Sequence, residues 1–107
     1  MTRVLGTTLS AVAMLLACQS RAADRPRPPE FEKVCAKCHI EGGTGTFMLG
    51  RRLGKEKALL EERNDLRPDF IRHVVRNGIL GMPAITRVEV TDAELEVIVR
   101  YLSNPSG

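Results

Sequence analysis

Five consecutive residues, Cys35-Ala36-Lys37-Cys38-His39, constrain this chain more than anything else in it. Two cysteines separated by two residues and followed directly by histidine have the spacing of a c-type haem attachment site. On a helix, Cys35 and Cys38 lie at i and i+3, and Cys35 and His39 at i and i+4, so all three share one face. Two thiols on that face can add to the two vinyl groups of a haem. The histidine beside the second thiol is then left under the iron as proximal ligand. Two other chemistries use such cysteines. A thioredoxin-like pair expects a βαβ setting, and nothing around Cys35 reads as a strand. A structural zinc site expects four ligands. Outside the N-terminal apolar segment the candidates are Cys35, Cys38, His39 and His73, and His39 directly after Cys38 makes a tetrahedral cage awkward.

The first 23 residues read as a segment separate from the domain. Met1–Arg3 carries one charge, Val4–Ala17 carries none, and a charged, proline-rich stretch follows from Arg21. The apolar run falls short of the ~20 residues of a membrane span and has the layout of an export signal. Residues 1–23 are therefore expected to be a signal peptide and 24–107 the domain, with a periplasmic location. Leu15-Leu16-Ala17-Cys18 also has the form of a lipoprotein box, in which Cys18 would carry a lipid anchor. Cys18 is not a disulfide partner, because Cys35 and Cys38 are already claimed.

Without Arg3 and Arg21, fourteen basic residues face thirteen acidic ones. The +3 of the whole chain is therefore no sign of nucleic-acid binding. Basic–aromatic interleaving of the kind single-strand binders use is absent from the sequence. A domain this short usually needs a staple such as a disulfide, a metal or a cofactor. One covalent haem, a flat apolar ring at the centre of the core, fills that need.

Pro28-Pro29 can open a helix, which the sequence carries through Glu30–Cys38, with Phe31 on the haem-bearing face. Gly42 to Gly45 breaks it, and Glu41–Gly54 reads as a Gly-rich loop around one haem edge, with Phe47-Met48-Leu49 as an apolar cluster. Of the cations that follow, Arg51, Arg52, Lys55 and Lys57, Arg51 is the candidate for a haem propionate; the rest read as solvated charge. One or two helical turns are expected over Lys55–Arg63. Asp69–Asn77 has one-sided helical spacing, with Phe70, Ile71, Val74 and Val75 apolar and His73 among the polar residues; Gly78 supplies a stop. Thr91-Asp92-Ala93-Glu94 is a capping box opening a helix whose Leu95, Ile98, Val99 and Leu102 lie on one face. No stretch reads as a strand of useful length, so the fold class is all-α, three to four short helices around one haem.

The second axial ligand must come from elsewhere. Met1 and Met14 fall in the signal, leaving Met48 and Met82. Met48 reads as core packing. Met82 lies between Gly81 and Pro83, and proline restrains both itself and the residue before it. A methionine held this way suits a distal ligand, its thioether being a soft donor. The chain between His39 and Met82 is long enough to pass around the ring.

Cys35–His39, Gly50-Arg51, Val75-Arg76-Asn77-Gly78, Gly81-Met82-Pro83-Ala84 and the capped helix with Tyr101-Leu102 together resemble the small class I cytochromes c, over about residues 30–103. The run from Val75 to Ala84 is similar to the cytochrome subunits of flavoprotein phenol-oxidising enzymes of the p-cresol methylhydroxylase and eugenol hydroxylase kind. The resemblance implies a fold whose first and last helices cross near Phe31 and Tyr101, and one haem c held by Cys35 and Cys38 with His39 and Met82 on the iron. It implies an electron carrier, not an enzyme. The carrier would take single electrons from a flavin-dependent dehydrogenase and pass them to a downstream cytochrome or oxidase. The alternative is a haem enzyme or gas-sensing domain whose distal ligand is labile. There is one departure: Gly45-Thr46 stands where many relatives have Gly-Pro, in a loop from which a carbonyl often accepts the histidine ring N–H in such proteins, and the resemblance leaves open which carbonyl does so here. Met48 stands where relatives carry leucine.

Overall fold

The structure, a computed structural model, describes residues 25–103. The expected signal segment and Cys18 lie outside them. The described residues are helical, with α1 at Pro29–Val34, α2 at Ala36–His39, α3 at Thr44–Leu53, α4 at Pro68–Asn77 and α5 at Asp92–Ser103. Single 3₁₀ turns at Lys55–Lys57 and Leu60–Glu62 join α3 to α4. The β pairing among the described residues is one isolated bridge, Ile79 with Met82.

Helix α1 starts at Pro29, where a missing N–H costs nothing. It meets α2 at Cys35, which keeps right-handed helical dihedrals and whose carbonyl accepts from the His39 N–H at 3.0 Å. The two short helices therefore act as the one expected over Glu30–Cys38. Phe31 of α1 is fully buried, and its ring meets the Tyr101 ring of α5 edge-on with centroids 5.4 Å apart. Burying such a side chain stabilises by about 1.5–3 kcal/mol, and the edge-on pairing adds about 0.5–1.5 kcal/mol. Ile71 and Val75 of α4 and Leu95, Ile98, Val99 and Leu102 of α5 join the core, with Ala36, Leu66 and Val90 from the elements between. Outside it, Arg72 forks onto Glu96 at 2.7 and 2.9 Å, tying α4 to α5.

Helix α5 begins with the expected box: the Thr91 N–H donates to Glu94 Oε2 at 2.8 Å, and the Glu94 N–H donates to Thr91 Oγ1 at 3.2 Å. The same reciprocal pattern occurs just upstream, where the Thr86 N–H donates to Glu89 Oε2 at 2.9 Å.

The stretch read as a loop, Glu41–Gly54, is corrected: most of it is α3. Gly45 and Gly50 argue against a helix locally, yet tertiary packing overrides them. Leu49 and Leu53 face an interior cavity. A Cβ on Gly50 would come within 3.3 Å of the Ala58 Cβ, so the small residue lets α3 approach the turn beside it. Met48, expected in the core, is 55% exposed on the outer face of this helix.

A buried polar knot fastens the first described residues to α5. Glu61 is only 4% exposed. Its carboxylate accepts Nε and Nη2 of Arg27 at 2.7 and 3.0 Å and a hydrogen bond from the Tyr101 hydroxyl. Arg25 lies over the Tyr101 ring and donates to the Tyr101 carbonyl at 3.0 Å.

Candidate haem site

The helices enclose an apolar cavity of about 370 Å³, within the range of small-molecule and cofactor sites. Cys35, Cys38, His39 and Met82 all line it. Three come from the α1–α2 unit and the fourth from the loop after α4. Leu49 and Leu53 of α3, Leu60 and Leu66 of the connection, and Ile98 of α5 supply aliphatic wall.

The electrostatics of the donors follow from burial. Burial pushes the Cys35 thiol up to about 11, the reverse of the lowered values found in reactive Cys-x-x-Cys pairs. Burial also lowers the His39 pKa, keeping the imidazole neutral, as a metal ligand must be. Its Nδ1 is buried with no hydrogen-bond partner. The ring rests against Gly45: a Cβ there would lie 2.8 Å from His39 Cε1 and 3.0 Å from Nδ1. Only glycine allows α3 to pack so closely on the imidazole edge. No carbonyl of the described residues accepts a hydrogen bond from His39 Nδ1. Thr46 Oγ1 donates to the Ile40 carbonyl at 2.7 Å, a bond that proline at this position could not make.

Met82 is shaped by its loop. The Ile79 N–H donates to the Met82 carbonyl at 3.0 Å, and the Met82 N–H to the Ile79 carbonyl at 2.9 Å. These two bonds close a tight turn over Leu80-Gly81. Leu80, at φ +52°, is 75% exposed at its tip. Met48 is not among the lining residues, and His73 is exposed, its ring beside Asn77.

Arg51 does not line the cavity. Its guanidinium lies 5.8 Å from the centre of the Phe47 ring, on the outer side of α3. The cations on the wall are Arg52 and Arg63; Arg63 is oriented by Asp65 at 2.8 and 3.2 Å. Helical phase separates Arg51 from Arg52. That phase is unreadable when the segment is taken for a loop.

These features fit a haem. The cavity is apolar, two thiols and a neutral imidazole share one side of a helical unit, and a thioether enters from a second element. Among the described residues His, Cys, Asp and Glu nowhere gather in threes close enough to hold a bare metal ion. No described helix is long and apolar enough to cross a membrane.

Comparison with known proteins agrees with the geometry. The family described as subunit III of cbb3-type cytochrome c oxidase matches residues 25–102. The chain belongs to this cytochrome c family. The cytochrome is also 33% identical over 75 residues to the cytochrome c subunit of 4-cresol dehydrogenase (hydroxylating) from Pseudomonas putida. That match covers 69% of this chain and 55% of the relative, so the chain spans about half of the relative's length. No solved structure matches it.

Proposed function

We propose that this cytochrome carries single electrons on one covalent haem c and catalyses no reaction of its own. The observation that carries the reading is the convergence of Cys35, Cys38, His39 and Met82 on one apolar cavity. Cys35 and Cys38 would hold the haem by thioether bonds, with His39 and the Met82 sulfur as axial donors. Bound there, the haem supplies an iron that alternates between ferric and ferrous states. The chain supplies the rest. A histidine–methionine pair favours the ferrous state relative to other ligand sets and leaves no position open for oxygen or substrate. The aliphatic wall keeps water away. Arg52 and Arg63, in place of Arg51, would meet the propionates.

The likeness to a dehydrogenase's cytochrome subunit supports a dehydrogenase as electron donor, flavin-dependent by the resemblance of Val75–Ala84. A downstream cytochrome or oxidase would be the acceptor. Residues 1–23 would direct export to the periplasm, with Cys18 as lipid anchor if the lipoprotein box is used.

Mass spectrometry of the purified protein should find one haem added covalently. The ferric spectrum should carry the weak sulfur–iron band near its red end. Met82→Ala should abolish that band and lower the reduction potential, whereas Met48→Ala should do neither. Tight carbon monoxide binding by the ferrous wild type would sink the carrier reading in favour of an open-site haem protein.

A further inference from the structure

Met82 sits on a loop with no long helix or strand to hold it. Its turn over Leu80-Gly81 fixes the local shape but not the distance of the loop from the cavity. That distance is set where the chain rejoins the fold, three residues later at Ile85. Two successive residues of α4 take both backbone groups of Ile85. The Ile85 N–H donates to the Val75 carbonyl at 2.7 Å. The Ile85 carbonyl accepts from Arg76 Nη1 at 3.1 Å. Arg76 Nη2 then reaches Asp92 Oδ1 at 2.8 Å, at the start of α5, a carboxylate also held by Arg87 Nε at 3.1 Å. The Arg76 side chain is only 15% exposed. It is therefore a partly desolvated guanidinium spanning a helix, the loop end and a second helix.

We propose that Arg76 is a positioning residue for the distal ligand, holding Met82 in the cavity by pinning Ile85 between α4 and α5. The inference rests on the reading of Met82 as that ligand. Between Met82 and Ile85 lie only Pro83, whose backbone dihedral is fixed, and Ala84. With so little slack, displacement of Ile85 is passed on to Met82. Ile85 also lines the cavity, so the same pin shapes the wall. Hydrogen bonds from charged donors are among the stronger ones a fold makes. Losing this one should shift the balance between bound and released Met82 by about tenfold or more.

The test uses the haem-loaded chain with Arg76→Ala. Arg72→Ala is the matched control, removing the neighbouring α4–α5 ion pair without touching the loop. Two readouts report on Met82: the sulfur–iron band of the ferric state, and the apparent affinity for added imidazole, which competes for the same iron position. That affinity rises in proportion to the fraction of molecules whose Met82 is released. Arg76→Ala should weaken the band and tighten imidazole binding about tenfold or more. Arg72→Ala should stay within about twofold of wild type, and Arg76→Lys should recover part of the loss. Equal behaviour of the two alanine variants, or wild-type behaviour of Arg76→Ala, would overturn the proposal. If Arg76→Ala yields no soluble haem protein, Asp92→Asn removes the charge from its anchor and keeps its bond to Ile85. Imidazole should then bind about threefold tighter, and no change would overturn the proposal. Should Met82→Ala match wild type in both readouts, the ligand assignment falls and takes this inference with it. If Met82→Ala loses the band while Arg76→Ala does not, this inference alone falls.

Discussion

Replacing Gly78 by alanine places a methyl group where the fold has no room for one. Gly78 ends α4 at φ +73°, ψ 170°, a region that side chains other than glycine's occupy at a cost of about 1–3 kcal/mol. The added Cβ would lie 2.6 Å from the Met82 carbonyl oxygen, 2.9 Å from the Ala84 nitrogen and 3.1 Å from the Pro83 carbonyl carbon. All three are backbone atoms, so no side chain can swing aside, and overpacking of this kind adds about 1–3 kcal/mol. The sum, about 4 kcal/mol, is a large share of the 5–15 kcal/mol that holds a domain of ordinary stability together. The strain has two outlets. The loop stays and stability falls, or the loop moves outward and Met82 leaves the cavity. Urea unfolding of the haem-loaded protein reads the first, where a loss of this size lowers the midpoint by about 2 M. The sulfur–iron band reads the second. A variant that keeps the band and unfolds within about 0.5 kcal/mol of wild type would refute the reasoning.

Three further outcomes follow from contacts elsewhere. For Glu61, burial acts to raise the carboxyl pKa, but the bonds from Arg27 and Tyr101 outweigh it and hold the group below its usual 4.5. Its contribution is therefore present above that value and fades as acid protonates it. Glu61→Gln should cost about 2 kcal/mol at neutral pH, Arg27 being partly in solvent, and should lose less stability than wild type between pH 5 and 2 in thermal unfolding. Tyr101, the single tyrosine, is pushed up to about 12 by burial and then by the Glu61 carboxylate. Ultraviolet titration should find it ionising about two units above a free tyrosine, and stability should decline as pH rises from about 10 toward 12; ionisation near 10 would contradict the knot. Thr91→Ala removes one half of the box at α5 and should cost about 1 kcal/mol in thermal unfolding, with the sulfur–iron band unchanged.

The parts of this fold that sequence periodicity reached are those set by neighbours in the chain. Helices α4 and α5 announce themselves through apolar spacing, a proline at the start of one, a threonine box at the start of the other and Gly78. The Cys35–His39 constellation is legible because its geometry is complete within two helical turns. Helix α3 was hidden because its two glycines answer to distant partners: Gly45 to the His39 ring and Gly50 to Ala58. The outward positions of Arg51 and Met48 were hidden for the same reason, since without a helix there is no phase to sort inner from outer residues. Glu61 was unreadable for a related reason, its partners lying 34 and 40 residues away. The pairing of Thr86 with Glu89 was readable. Thr86-Arg87-Val88-Glu89 has the same first and last residues as the box five positions on, but no apolar run follows to call attention to it.

The two sides of the cavity differ in how much chain must be brought together to make them. Cys35, Cys38 and His39 are assembled by a few residues of helix, a closure that is fast and costs little ordering of the chain. Met82 arrives only after α3, the 3₁₀ turns and α4 have taken their places, 43 positions after His39 in the sequence, a closure that carries a larger entropic cost. The proximal side is therefore the early-formed half of the molecule and the methionine side the late one. In reverse, gentle denaturation should open the molecule like a hinged case, releasing the methionine edge while the helix bearing the cysteines remains wound.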